Sequence, residues 1–345
     1  MEIINLAKEL ERIKATSQDI VAPTDTITAI EDAGTLKIDL KQYGKWPLTK
    51  WGTQQLAEKT DIPIRYFNKM LEKGKAKLAA ENVNSWLAEE ADARLVRIAD
   101  NQIRAILSDR YRPMDNFDVA VQVMDRVKEH NGQIIDSQLT EQRMYIKALA
   151  PEAMEYLDFT PEEKQAHTWH NVDKDTLIPG IIVSNSEVGA GAFRVEPLVF
   201  RGVCSNTVIT TDTLYRIHVG QKLDLGIYKE ETLRANDRLL WSQTRDLIDG
   251  TFNKELLHKA IGQLRSAKEI KLPKPIEEVN AVSKDLTLSE ERKLDLLRYF
   301  SREGETVFGL VNGITRLAQD FENYDDRITI ERYAGKKLEE NVIAQ

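Results

Sequence analysis

One cysteine among 345 residues, Cys204, excludes an internal disulfide and leaves no second thiol with which to hold zinc. No uninterrupted apolar run of about eighteen residues occurs, so no membrane-spanning helix is expected. The segment from Met1 to Lys14 mixes Glu2, Lys8, Glu9, Glu11 and Arg12 with its apolar residues and lacks the apolar core of a secretory signal. These absences lead us to expect a cytoplasmic protein. Enzyme signatures are missing too. There is no Gly-Lys-Ser/Thr phosphate loop, no Gly-x-Ser-x-Gly elbow and no His-Glu-x-x-His zinc helix. Basic charge is not in excess either: 48 Lys and Arg stand against 56 Asp and Glu, a net charge of -8. Any nucleic-acid surface would therefore have to be a local basic patch.

What is present is an ordinary globular composition, 41% hydrophobic and 30% charged, with room for a substantial core. Three regions follow from the patterning. Residues 1–90 read as mainly helical, with a helix over Met1–Lys14, a polar stretch of loop or short strands over Thr16–Thr28, and a strand where Leu36, Ile38 and Leu40 alternate with Lys37 and Asp39. Residues 91–226 read as strand-rich, opening with a hairpin around Asp100-Asn101. A helix over Phe117–His130 ends at Asn131-Gly132, and the densest β signal runs from Ile178 to Val219. Residues 227–345 read as helical again. Leu233, Leu240 and Leu247 recur seven apart, Lys271–Pro275 makes a stiff linker, and Thr287–Glu290 makes a capping box. A helix over Phe308–Phe321 closes the series. The expected fold class is α+β, a β-rich central domain framed by helical regions.

Four constellations carry candidate chemistry. In Ser184–Pro197, two strands flank Gly189-Ala190-Gly191. Symmetric pairing about that turn sets Glu187 opposite Arg194 and Asn185 opposite Glu196, either as a polar groove floor or as cross-strand ion pairs on a solvated face. In Leu107–Asn116, Arg110 and Arg112 flank Tyr111. Guanidinium groups grip phosphate and a tyrosine face stacks on an unpaired base, although the same residues can equally anchor a loop. Thr53–Met70 resembles a helix-turn-helix. Ala57 would permit close packing, Leu56, Ile62, Phe67 and Met70 would fill the interface, and Asp61 stands where a turn glycine is usual. Lys59, Arg65, Lys69, Lys73, Lys75 and Lys77 make that stretch the most basic of the N-terminal region. Finally, His167, Trp169 and His170 read as a surface cluster, and Cys204 reads as core, since only His218 lies near it in sequence as a base.

Three segments together resemble the phage/plasmid-like protein family defined as a domain of unknown function (number 932). They are Arg104–Asn116, Ile182–Asn206 and Thr306–Thr315. That resemblance implies a mobile-element protein in the cytosol of a bacterial host and implies no activity. The leading expectation is single-stranded DNA binding in replication, recombination or transcription. Arg104, Arg110, Arg112, Lys147, Arg194 and Arg201 would contact phosphates, and Tyr111 and Phe193 would stack on bases. A homo-oligomer held by the C-terminal helices would suit that role. Host or phage replication or transcription proteins are further candidate partners, and the alternative is a factor that binds a host protein, a polymerase or defence component, without nucleic acid. A third reading, an enzyme built on Glu187, Arg194 and Cys204, lacks a motif. No catalytic residue, metal or cofactor is expected.

Overall fold

Leu6, Leu10 and Ile13 recur on one face of α1 (Ile3–Thr16) and are buried there. The computed structural model describes residues 1–89, 92–156, 176–202, 206–209, 215–217, 230–252 and 254–343. Cys204, Ser205, His167, Trp169, His170 and His218 lie outside the described residues.

After α1 come β1 (Gln18–Pro23), β2 (Thr28–Asp32), β3 (Thr35–Asp39) and β4 (Lys45–Pro47), then α2 (Lys50–Lys59), α3 (Ile64–Glu72) and α4 (Ala76–Leu87). Strands β2, β3 and β4 form an antiparallel meander. Its inward residues Leu36 and Ile38 share one core with Leu56, Phe67, Met70 and Val83 of the three helices. The hairpin of β5 (Ala93–Ala99) and β6 (Gln102–Ser108) turns on Asp100 and Asn101, both left-handed with φ of 52° and 59°. Such a turn matches the strand twist, and Asp and Asn tolerate it best after glycine. Strand β5 also pairs with β1, and Val96, Ile98, Ile103 and Ile106 join the same core. The N-terminal core thus runs on to Ile106, beyond residue 90.

The central region holds α5 (Asn116–Glu129), β7 (Gln133–Leu139), β8 (Met144–Leu149), β9 (Glu155–Tyr156), β10 (Thr176–Asn185), β11 (Phe193–Arg201), β12 (Asn206–Ile209) and β13 (Tyr215–Ile217). The main path of the sheet is β12-β11-β10-β8-β7, with β9 on β10 and β13 on β11. Every residue of β8 and of β10 is buried, so neither face of this sheet is solvated there. At Gly180 a Cβ would stand 2.1 Å from the Ala148 carbonyl oxygen, which is why glycine occupies that position where β10 meets β8.

The C-terminal helices are α6 (Glu230–Thr251), α7 (Lys254–Glu269), α8 (Pro275–Asp285), α9 (Glu290–Glu303), α10 (Val307–Ala318) and α11 (Tyr324–Ile343). The cap of α9 falls two residues later than the expected box. Ser289 Oγ accepts from the Arg292 amide at 3.3 Å, while Thr287 lies outside the helix with φ of 52°. One face of the central sheet packs on α1, α5 and α6 through Met144, Ile146, Val183, Phe193 and Val195. On the other face, Tyr145, Leu149, Ile178, Ile182 and Leu198 meet Ile328 and Tyr324 of α11.

That second contact is unusually polar. Lys147 donates to Glu331 Oε2 at 2.6 Å with both side chains buried, and Arg327 Nε reaches Glu331 Oε1 at 3.2 Å. Arg332 Nε donates to Glu196 at 2.9 Å, and the hydroxyls of Tyr145 and Tyr324 donate to Asp325 and Asp136. Burial, seconded by those carboxylates, raises the pKa of both tyrosines above the ordinary phenolic value. The protein is α+β, with sheets at the centre and helices before and after them. Among the described residues no helix is long and apolar enough to cross a membrane.

Candidate nucleic-acid interface

The hairpin of β10 and β11 does not pair as its sequence symmetry suggests. Ser184 faces Arg194 and Ile182 faces Glu196, leaving the residues from Ser186 to Ala192 as a loop instead of a three-residue turn. Glu187 therefore does not meet Arg194. It reaches back to the N-terminal region, where its buried carboxylate accepts from the Arg104 guanidinium and from the Asn116 amide at 2.8 Å. Arg97 closes the cluster, donating to the Glu187 carbonyl at 2.7 Å, to Asp19 at 2.8 Å and to Asp115 at 2.7 Å. The next residue, Val188, packs among Leu95, Ala105 and Leu107, flanked by Trp51 and Tyr111. Its carbonyl accepts from Trp51 Nε1 at 2.9 Å and from Gln55 Nε2 at 2.8 Å. Gln55 Oε1 in turn accepts from the Ile106 amide at 3.0 Å. The loop is thus a peg that holds helix α2 and the β5–β6 hairpin onto the central sheet.

This arrangement corrects most of the single-strand groove. Phe193 is fully buried between the sheet and α1, α5 and α6, so it has no face for a base. Lys147 is 1% exposed and neutralised by Glu331, so no phosphate can reach it. Arg104 is spent on Glu187. Arg201 donates to Glu303 at 2.6 Å and to Asn312 at 3.2 Å, with its guanidinium over the Phe308 ring. Tyr111 is tucked against the peg, its hydroxyl donating to the Ser186 carbonyl at 3.2 Å, and burial raises its pKa. Arg112 and Arg194 are half-buried, which leaves Arg110 as the one exposed member of the set. The eight residues do not converge on one groove.

The cost of losing the peg's charge can be stated. Glu187→Ala strands the Arg104 guanidinium and the Asn116 amide in a buried site, and should destabilise the protein by about 3 kcal/mol. Glu187→Gln keeps one acceptor oxygen, enough for one of the two donors, and should cost about 2 kcal/mol. Urea unfolding of the two variants checks the order, and equal costs would show that the retained acceptor contributes nothing without the charge.

The helix pair, by contrast, buries the residues its sequence offers for the interface. Ala57 is fully buried where α2 crosses α3, and Leu56, Ile62, Phe67 and Met70 are all buried around it. Thr60 is buried and returns its hydroxyl to the Leu56 carbonyl at 2.8 Å. Asp61 adopts the left-handed conformation with φ of 50°, so the turn keeps its shape although the usual glycine is absent. These contacts turn Arg65, Tyr66, Asn68, Lys69 and Lys73 outward, and all of them are exposed. Lys75 and Lys77 continue the exposed edge at the start of α4.

Charge sets this corner apart. Between Lys41 and Lys77 the chain carries nine cations and three acids, although its net charge is -8. All nine cations are exposed, and among the described residues only Lys45 has an ion-pair partner, Asp39 at 3.9 Å. Local charge density was the signal in the sequence that pointed here. The arginines of the strand-rich region, counted without regard to the acids that meet them in space, pointed elsewhere. Comparison with family models, with curated proteins and with solved structures finds no match for this chain.

Proposed function

We propose that this protein binds DNA with the outer face of α3, as a nucleic-acid-binding protein of a phage or plasmid. One observation carries the reading: a wholly exposed basic corner, with one ion pair among the described residues, on the helix pair of α2 and α3 in an otherwise acidic chain. Phosphates are gripped by such cations whatever the sequence, while a helix standing clear of its own domain can enter a major groove. Within α3, Arg65 and Asn68 are the residue types that read purine edges in pairs of hydrogen bonds. Lys69, Lys73, Lys75 and Lys77 supply backbone contacts. The acidic remainder of the chain repels DNA and confines contact to this corner. Duplex DNA is therefore the partner we favour over a single strand, because the exposed element is a helix pair and the groove proposed for single strands is filled by ion pairs.

Fluorescence anisotropy with labelled oligonucleotides of one sequence, single- and double-stranded, tests this across a salt series. The expected result is micromolar or tighter binding of duplex, with log affinity falling by about 4–6 per tenfold rise in salt, as several neutralised phosphates release their counterions. No binding at about 50 mM salt would overturn the proposal. Preference for the single strand would return the site to the loop around exposed Arg110.

A further inference from the structure

The loop between β3 and β4 is built with more constraint than a plain connection needs. Lys41 adopts a left-handed conformation with φ of 53°, a strained choice for lysine, and Gly44 follows with φ of 104°. Three hydrogen bonds lock the shape. The Lys41 amide donates to Asp39 Oδ1 at 2.8 Å, the Leu40 amide to the Gly44 carbonyl at 2.9 Å, and Trp46 Nε1 to the Tyr43 carbonyl at 3.2 Å. Trp46 itself packs on the N-terminal core, beside which Ile64 and Leu71 of α3 also lie. The result is a fixed platform from which Tyr43 projects, 42% exposed, between exposed Lys41 and Lys45, with exposed Lys50 a few residues on at the start of α2.

We infer that this loop is a second nucleic-acid contact, in which Tyr43 stacks on an unpaired base while Lys41 and Lys45 hold the phosphates on either side. An aromatic ring displayed among cations is the arrangement that retains single strands without regard to sequence, because every base has a face to stack. A duplex interior offers no such face, since its bases are already stacked on one another. The inference rests on the DNA-binding reading of α3 and narrows the partner to a duplex with an adjoining single-stranded segment. A rigid loop suits the task, because little conformational freedom is lost when the base docks.

The test compares a blunt duplex with the same duplex carrying a short unpaired tail, with 2-aminopurine at the first unpaired position. The tailed duplex should bind about tenfold tighter than the blunt one, within the range that one stacked base contributes. Stacking should also quench the 2-aminopurine emission. Tyr43→Ala should abolish both the gain and the quenching while leaving affinity for the blunt duplex unchanged, and Tyr43→Phe should keep both. Absence of any gain from the tail, or a gain that survives Tyr43→Ala, overturns the inference while leaving α3 as the duplex contact. Binding of neither DNA would overturn both readings together. Because the Tyr43 side chain is exposed and its carbonyl stays in place, the alanine variant should fold normally.

Discussion

Glu331→Leu is expected to destabilise the protein by about 3–5 kcal/mol, the largest effect of a single substitution that this structure suggests. The variant leaves the ammonium of Lys147, 1% exposed, without an anion on a face lined by Tyr145, Leu149 and Ile182. Burial already holds the pKa of Lys147 below the ordinary lysine value, against the opposing pull of Glu331. Without Glu331 the lysine would have to lose its proton or draw water into the interface. Lys147→Met should cost less, since Arg327 still reaches the Glu331 carboxylate at 3.2 Å. The double variant Lys147→Met/Glu331→Leu should recover most of the loss, because an apolar pair of similar volume needs no compensating partner. Urea unfolding of all three would decide the matter. A double variant no better than Glu331→Leu alone would mean that the pair contributes packing that leucine and methionine cannot replace.

The second large effect concerns DNA. Arg65→Ala/Lys69→Ala/Lys73→Ala removes three exposed cations that have no ion-pair partner among the described residues. Stability should change by only about 0.5 kcal/mol, as expected for surface positions without structural partners. Affinity for duplex should nonetheless fall by about a hundredfold at low salt, and the slope of log affinity against log salt should shallow by about 3. The pairing of these two readouts matters. A fall in affinity with an unchanged slope would indicate a distorted protein instead of lost phosphate contacts. Unchanged affinity would move the interface away from α3. A matching triple variant at Lys147, Arg104 and Arg201 would be uninformative, because each of those side chains holds the fold together.

Local structure was legible wherever one residue type answers one backbone demand. Asp100-Asn101 announces a left-handed hairpin turn, the Asn131-Gly132 pair ends α5, and Ala57 with its apolar neighbours outlines the helix pair. Register was not legible, because it depends on what lies beyond the strands. The Gly-Ala-Gly segment invites symmetric pairing, yet Glu187 leaves the strand to meet Arg104 and Val188 finds an apolar recess between β5 and β6. Lys147 was expected to meet a phosphate, but helices cover both faces of that sheet and turn every residue of β8 inward. Helix α11 escaped notice for a related reason. Its docked side presents Asp325, Glu331 and Arg332 beside Tyr324 and Ile328, so the apolar stripe of Ile330, Ala334 and Leu338 is accompanied by charges whose partners sit on distant strands. For the candidate site, the exposed cations of α3 were visible in the sequence as density. Which arginines would be spent on buried acids could be seen only once the chain had folded.

The peg at Val188 also has a kinetic side. The helix pair that carries the basic corner is complete by Glu72, yet the carbonyl that bonds Trp51 and Gln55 belongs to a residue 137 and 133 positions later in the chain. On a ribosome adding about 5–20 residues each second, that gap lasts roughly ten seconds. During it, α2 and α3 can already present their lysines while the recess of Leu95, Ala105 and Leu107 stands uncovered. The nascent chain therefore passes through a stage with its basic corner formed and an adhesive patch open beside it, a stage that should call on chaperones whenever translation slows between Ser108 and Val188.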